Sequence, residues 1–132
     1  MNSIQTAIID LMTAHPTLSS AGLHFRSQDS YWHDPEYLKK SRDEMLTERF
    51  FKEVSLCEAF IARHGIQCGA TSYGLKHDVE DEHKYIYISN GAFIVAAILR
   101  GYVPVLNPGP NPSFRKLPKA RPAMATIAES QP

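Results

Sequence analysis

Ser89-Asn90-Gly91-Ala92-Phe93-Ile94-Val95-Ala96-Ala97-Ile98-Leu99-Arg100-Gly101 is the stretch that decides the fold class. Residues 92 to 99 are apolar without interruption, so a helix there has no face to offer to water and has to be wrapped on every side. The run is far too short to span a bilayer, which takes about 20 apolar residues. Ser89 and Asn90 provide a polar start, and Arg100-Gly101-Tyr102 supplies a cationic last turn, a glycine stop and a following apolar residue. The small residues Gly91, Ala92, Ala96 and Ala97 are expected to allow close packing in the core. Free amides at Ser89-Asn90-Gly91 could face a phosphate, but no glycine-rich loop accompanies them. A helix that must be surrounded implies other helices, so the expected fold is mainly α. It is a helical bundle with a buried C-terminal helix and at most a small two-stranded β element, with α+β as the alternative.

The rest of the chain supplies the cover. Ile4, Ala7, Ile8, Leu11 and Met12 recur at helical spacing behind Ser3, and His15-Pro16 closes a helix over residues 3 to 14. Residues 16 to 33 lack a period and read as a long loop, with a short extended piece at residues 23 to 26. Asp34-Pro35 is a cap followed by a proline in the first helical position. Ser41-Arg42-Asp43-Glu44 repeats the start signal as a capping box. Met45, Leu46, Phe50, Val54, Cys57, Phe60 and Ile61 then form an apolar stripe that runs to a stop at Gly65. A bend or short break near Ser41 is expected within residues 35 to 64. Thr71 or Ser72 can cap a further helix running to about Lys84. Residues 85 to 88 are β-branched and aromatic, and residues 103 to 106 read as an edge strand because Pro104 cannot donate to a ladder, so the two could pair. Residues 107 to 112 form a proline-rich turn. The expectation is one domain over residues 1 to 114 and a disordered basic tail over residues 115 to 132.

The chain of 132 residues carries 14 basic and 14 acidic side chains, a formal charge of zero, and so has no overall bias toward polyanions. Arg115, Lys116, Lys119 and Arg121 against Glu129 give residues 109 to 132 a net of +3, which leaves −3 for residues 1 to 108. Two cysteines, Cys57 and Cys68, in a chain of this length read as reduced thiols, with Cys57 packed in a helix. Residues 1 to 5 lack the basic start of a secretory leader. A cytoplasmic protein without a membrane segment is therefore expected, and no cofactor is expected.

Candidate functional residues concentrate in Thr71-Ser72-Tyr73-Gly74-Leu75-Lys76-His77-Asp78-Val79-Glu80-Asp81-Glu82-His83. On a helix, Leu75 and Val79 point inward, while Tyr73, Lys76, His77, Glu80 and Lys84 share a neighbouring face. His77 and Glu80 are the candidate catalytic pair, a base with its orienting carboxylate. His77, Asp81 and His83 are the candidate metal ligands, although the spacing is not that of a zinc-protease helix and no second cluster offers a third ligand. A solvated face with a Lys76–Glu80 ion pair explains the same residues without chemistry. As a partner-binding surface the candidates are Tyr73, Lys76, His77 and Glu80, joined by Tyr31 and Trp32 from the long loop. Two consecutive helices suggest a helix-turn-helix, but a recognition helix must present polar side chains to the bases and residues 91 to 99 present none. Nucleic acid would have to be met by Lys76, the tail cations, or Lys39, Lys40 and Arg42.

The combination of Ser72-Tyr73-Gly74-Leu75-Lys76-His77 and Glu80 with Tyr87-Ile88-Ser89-Asn90-Gly91-Ala92-Phe93-Ile94 and Ala96-Ala97 resembles small bacterial proteins carried on plasmids, phages and integrated elements. Pro110-Asn111-Pro112-Ser113-Phe114 stands where that group has a downstream Pro-Asn segment. The resemblance covers about residues 71 to 102 and brings no established activity, so no catalytic residue is carried over. It implies a mobile-element setting, in which proteins often regulate transfer or antagonise host defence by binding a host complex. The expected function is that of a small non-catalytic interaction protein whose partner is a protein or nucleoprotein complex. The alternatives are a nucleic-acid-binding regulator using Lys76 and the basic tail, and a small metal-assisted or acid-base enzyme centred on His77, Glu80 and Asp81.

Overall fold

The computed structural model describes residues 3–24, 34–84 and 86–116. In chain order the elements are α1 (Ser3–Ala14), β1 (Leu18–Ser19), β2 (Gly22–Leu23), α2 (Pro35–Glu44), α3 (Glu48–His64), α4 (Ser72–Glu82), α5 (Asn90–Leu99), β3 (Tyr102–Val105) and β4 (Ser113–Lys116). The fold is mainly α, with two small antiparallel sheets, β1 with β2 and β3 with β4.

Residues 90 to 97 of α5 are all buried, as an all-apolar helix requires. The long helix α3 provides its largest contact, and α4, β2 and β3 cover the other sides. From α3 the core receives Phe50, Phe51, Val54, Cys57, Phe60 and Ile61. From α4 it receives Leu75 and Val79, the pair whose spacing placed them on the inner face. Ile8 is the fully buried residue of α1, and Arg42 on α2 ties that helix down by donating from Nη2 to the Met12 carbonyl at 2.7 Å and from Nη1 to the Pro16 carbonyl. A cation placed just beyond the last turn of α1 also suits the negative end of that helix.

The helix starts follow the side-chain chemistry in the sequence. Asp34 accepts hydrogen bonds from the amides of Glu36 and Tyr37 ahead of Pro35, and Thr71 accepts from Gly74. Gly65, with φ of 69°, closes α3 by donating its amide to the Ile61 carbonyl at 2.7 Å. The break within residues 35 to 64 falls later than expected. Ser41 lies buried inside α2, and the helices separate at residues 45 to 47, where Thr47 takes an extended conformation and accepts from the Phe50 amide at 3.2 Å. Met45 turns fully inward at this break, so the corner is anchored by burial rather than by a glycine or proline.

The pairing of β3 also differs from the expectation. Its partner is β4, in the register Tyr102 to Lys116 and Val105 to Ser113, and not the segment before α5. Pro104 sits opposite Phe114, consistent with a two-stranded ribbon in which one missing donor costs little. Because β4 takes in Arg115 and Lys116, ordered structure extends beyond residue 114. Residues 117 to 132 lie outside the described residues, as do Tyr31 and Trp32.

Asn90 and Gly91 join the peripheral pieces to the start of α5. The Asn90 amide nitrogen donates to the Ala21 carbonyl at 3.0 Å, the Pro110 carbonyl at 3.2 Å and the Asn111 side-chain oxygen at 2.8 Å. The Gly91 amide donates to the Ser20 carbonyl at 2.9 Å. This brings the β1–β2 hairpin so close that a β-carbon on Gly91 would lie 2.1 Å from the Ser19 carbonyl oxygen. The expectation of tight packing at Gly91 therefore holds, but the neighbour is hairpin backbone. Gly91→Ala should lower stability by about 2–3 kcal/mol, because backbone on both sides has to move. Gly74→Ala is the matched control: its β-carbon would meet only Thr71 Oγ1 at 3.7 Å, so it should be neutral or stabilising by up to ~1 kcal/mol. Urea denaturation of the two variants beside the parent chain measures both effects.

Candidate functional site

The connection between α4 and α5 carries the site, and two carboxylates from different helices hold it. Glu53 on α3 is 5% exposed; its Oε1 accepts the Ser89 amide at 2.9 Å and the Ser89 hydroxyl at 2.8 Å. Glu80 on α4 accepts the Ile88 amide through Oε2 at 2.9 Å. Consecutive backbone amides are thus fixed by consecutive bonds to α3 and α4. Ser89 begins α5 without a side-chain capping bond, because its hydroxyl is turned toward Glu53.

The same two carboxylates collect cations. Lys76 Nζ lies 3.2 Å from Glu80 Oε2, and the Lys76 side chain is 8% exposed. His77 Nδ1 lies 2.9 Å from Glu80 Oε1, while Arg49 Nε donates to Glu53 Oε2 at 3.2 Å. Burial pushes the Glu80 pKa up, but the Ile88 amide, the Lys76 ammonium and the His77 ring together outweigh it and hold the carboxyl below the ordinary value. Tyr73 stacks edge-on to His77 at 4.6 Å between centroids. Lys76 Nζ stands 4.6 Å from the Tyr87 ring centroid and 5.7 Å from that of Tyr73, and the Arg49 guanidinium stands 5.4 Å from Tyr87. The result is a ladder, Tyr73–Lys76–Tyr87–Arg49, with the carboxylates of Glu80 and Glu53 behind it.

This distribution divides the residues singled out in the sequence. Tyr73 and His77 are exposed, Glu80 is partly covered and Lys76 is buried, so the four do not form one solvated face. Lys76 is consequently unsuited to meeting nucleic-acid phosphates. Residues 90 to 97 of α5 are buried and cannot enter a groove as a recognition helix. Among the described residues no three His, Cys, Asp or Glu side chains are placed to share a metal ion, so His77, Asp81 and His83 are not brought together as ligands. Glu82 instead joins the ends of two helices, pairing with Arg63 and with His64 Nε2, the latter at 2.9 Å.

Sequence reasoning missed Glu53, Arg49 and Tyr87. Glu53 falls between inward-facing Phe50 and Val54 on α3, and an acidic residue inside an apolar stripe was the signal available. Cys57, one turn on, is fully buried; burial, followed by the nearby charges of Glu53, Glu58 and Glu80, pushes its thiol far up, so it stays protonated and unreactive. Cys68 is exposed, and both thiols are free. No helix among the described residues is long and apolar enough to cross a membrane. Comparison with protein-family models, with curated proteins and with solved structures finds no match to this chain.

Glu80→Gln should cost about 3 kcal/mol at neutral pH, because it leaves the Lys76 ammonium buried without a counter-charge. Replacing both, as Lys76→Met with Glu80→Gln, should recover part of that loss. The depressed pKa of Glu80 sets the sign of the pH dependence. Its contribution is present above the unfolded carboxylate pKa and is lost as pH falls through the folded value. The gap between parent and Glu80→Gln should therefore close in acid, as followed by urea midpoints from pH 7 to pH 3; a gap unchanged at low pH would contradict this assignment.

Proposed function

We propose that this protein acts without catalysis, by binding a protein partner through the face that carries Tyr73, Ile86 and Tyr87. One observation carries the reading: Tyr73 and Tyr87, 52% and 55% exposed, are positioned by cations that are themselves anchored to partly or fully buried carboxylates. Large amphipathic rings fixed in advance lose little conformational freedom on association, and Tyr and Arg are the residue types that dominate interface energetics. Ile86, 41% exposed, adds apolar area beside them. The leading acid-base candidate, Glu80, spends its oxygens on Ile88, Lys76 and His77, which supports a scaffolding role for it. The mobile-element setting implied by the resemblance favours a host complex as the partner, which the protein would regulate or antagonise.

The test is a photo-crosslinking amino acid placed at Tyr73, at Tyr87 and, as a control, at Leu106, in intact protein expressed in its own host. The expected outcome is one common partner from the first two positions and not from Leu106, with retention of that partner falling at least tenfold in Tyr73→Ala/Tyr87→Ala. A partner retained equally by the folded double variant would overturn the assignment. So would substrate turnover by the purified protein that disappears in His77→Ala.

A further inference from the structure

Tyr73 and Tyr87 share the buried Lys76 ammonium, whose nitrogen lies 5.7 Å from the first ring centroid and 4.6 Å from the second. Two clefts of about 500 Å³ flank Tyr87, one with Phe50 in its lining and the other with Ile86. We infer that this surface binds a proline-rich segment of the protein partner in the polyproline II conformation. The inference rests on the function proposed above and gives the partner's chemistry.

Spacing, charge and hydrogen-bonding capacity point the same way. Both ring distances run from one nitrogen, so the centroids are at most about 10 Å apart, and a polyproline II helix advances ~9 Å in one three-residue turn. Residues three apart in such a segment therefore meet the two rings in succession. The cations of the ladder are already neutralised, Lys76 by Glu80 and Arg49 by Glu53, so the rings present no net charge and suit an uncharged segment. The carboxylate oxygens behind the rings are also taken, on Glu53 by Arg49 and Ser89 and on Glu80 by Lys76, His77 and the Ile88 amide. Donors, by contrast, remain. Among the described residues neither tyrosine hydroxyl donates a bond, and the Arg49 guanidinium uses only Nε. A face with spare donors and spent acceptors suits a chain with free carbonyls and few N–H groups, and a run of proline has both properties. Its carbonyls are unpaired in polyproline II, whereas those of a helix or a paired strand are consumed internally. Proline rings also pack against aromatic side chains and in apolar recesses such as the one beside Ile86, and a segment that is extended before it binds loses little freedom on docking.

Titration of the isotope-labelled full-length chain with acetylated, amidated nonaproline, followed by two-dimensional NMR, tests this directly. The expected result is saturable shifts of the Tyr73 and Tyr87 rings and of the Arg49 Nε–H, with affinity falling about fivefold or more in Tyr73→Ala and in Tyr87→Ala. Tyr73→Phe/Tyr87→Phe, which keeps the rings and removes the hydroxyl donors, should also bind more weakly. Because the ladder is charge-compensated, affinity should change less than about twofold as salt rises tenfold. A glycine-serine peptide of the same length should leave these signals unmoved. Equal binding of that peptide, unchanged affinity in the folded alanine variants, shifts confined to other surfaces, or tighter and steeply salt-dependent binding of an oligolysine or oligoglutamate peptide at the same rings would overturn the inference. Self-association of the chain that disappears in Tyr87→Ala would also overturn it, in favour of a second copy as the occupant. If the partner identified by crosslinking is lost in Tyr73→Ala/Tyr87→Ala but nonaproline neither shifts the rings nor displaces that partner, the binding face stands and its proline-rich chemistry fails.

Discussion

Burial of α5 on all sides is the constraint on which the rest of the structure depends. A helix with no polar face can persist in water only if other elements close around its whole circumference, and its termini must then find hydrogen-bond partners inside the protein. At the start of α5 those partners are drawn from distant parts of the chain: Glu53 from α3, the carbonyls of Ser20 and Ala21 from the hairpin, and Pro110 with Asn111 from the turn before β4. The long-range connections therefore converge where the apolar helix begins. Sequence-distant pieces are locked together by a few polar atoms as well as by side-chain packing.

That convergence also explains why the exposed rings are so well placed. The segment entering α5 is held by Glu80 on one side and Glu53 on the other, so Tyr87 projects from backbone fixed at the very next two residues. Glu53 and Glu80 serve the scaffold through the oxygens that accept amides and the surface through the cations they retain. Removing either carboxylate would disturb folding and the outer face together, which couples the integrity of the core to the shape of the proposed binding surface.

Much of the architecture was legible because it rests on local signals. The uninterrupted apolar run specified a buried helix; Asp34-Pro35, Thr71 and Gly65 marked helix ends; Leu75 and Val79 identified the inner face of α4. The missed features depend on contacts across the chain. Nothing in residues 41 to 47 tells whether Ser41 or Thr47 caps the next helix, because both have the right chemistry and burial of Met45 decides between them. The strand pairing of residues 103 to 106 could not be read from composition either, since β4 is equally short and follows a proline-rich turn. At the candidate site, helical spacing correctly brought Lys76, His77 and Glu80 together. It could not show that an approaching segment from beyond the helix would cover Lys76 and claim Glu80.

The contact between Gly91 and Ser20 has a chemical consequence as well as a mechanical one. Asn-Gly is the dipeptide in which a flexible backbone nitrogen most readily attacks the preceding side-chain carbonyl, expelling ammonia to leave a cyclic imide that water then opens to aspartate or its isomer with the chain running through the side-chain carbonyl. In the folded protein the Gly91 nitrogen is held by its bond to the Ser20 carbonyl, and the Asn90 amide is held among three acceptors. The native state thus shields its most hydrolysable side chain. A molecule that lingers unfolded would acquire a carboxylate where the assembled core supplies carbonyl oxygens, so time spent unfolded is recorded as permanent damage, and the lifetime of the protein becomes a matter of how rarely it opens.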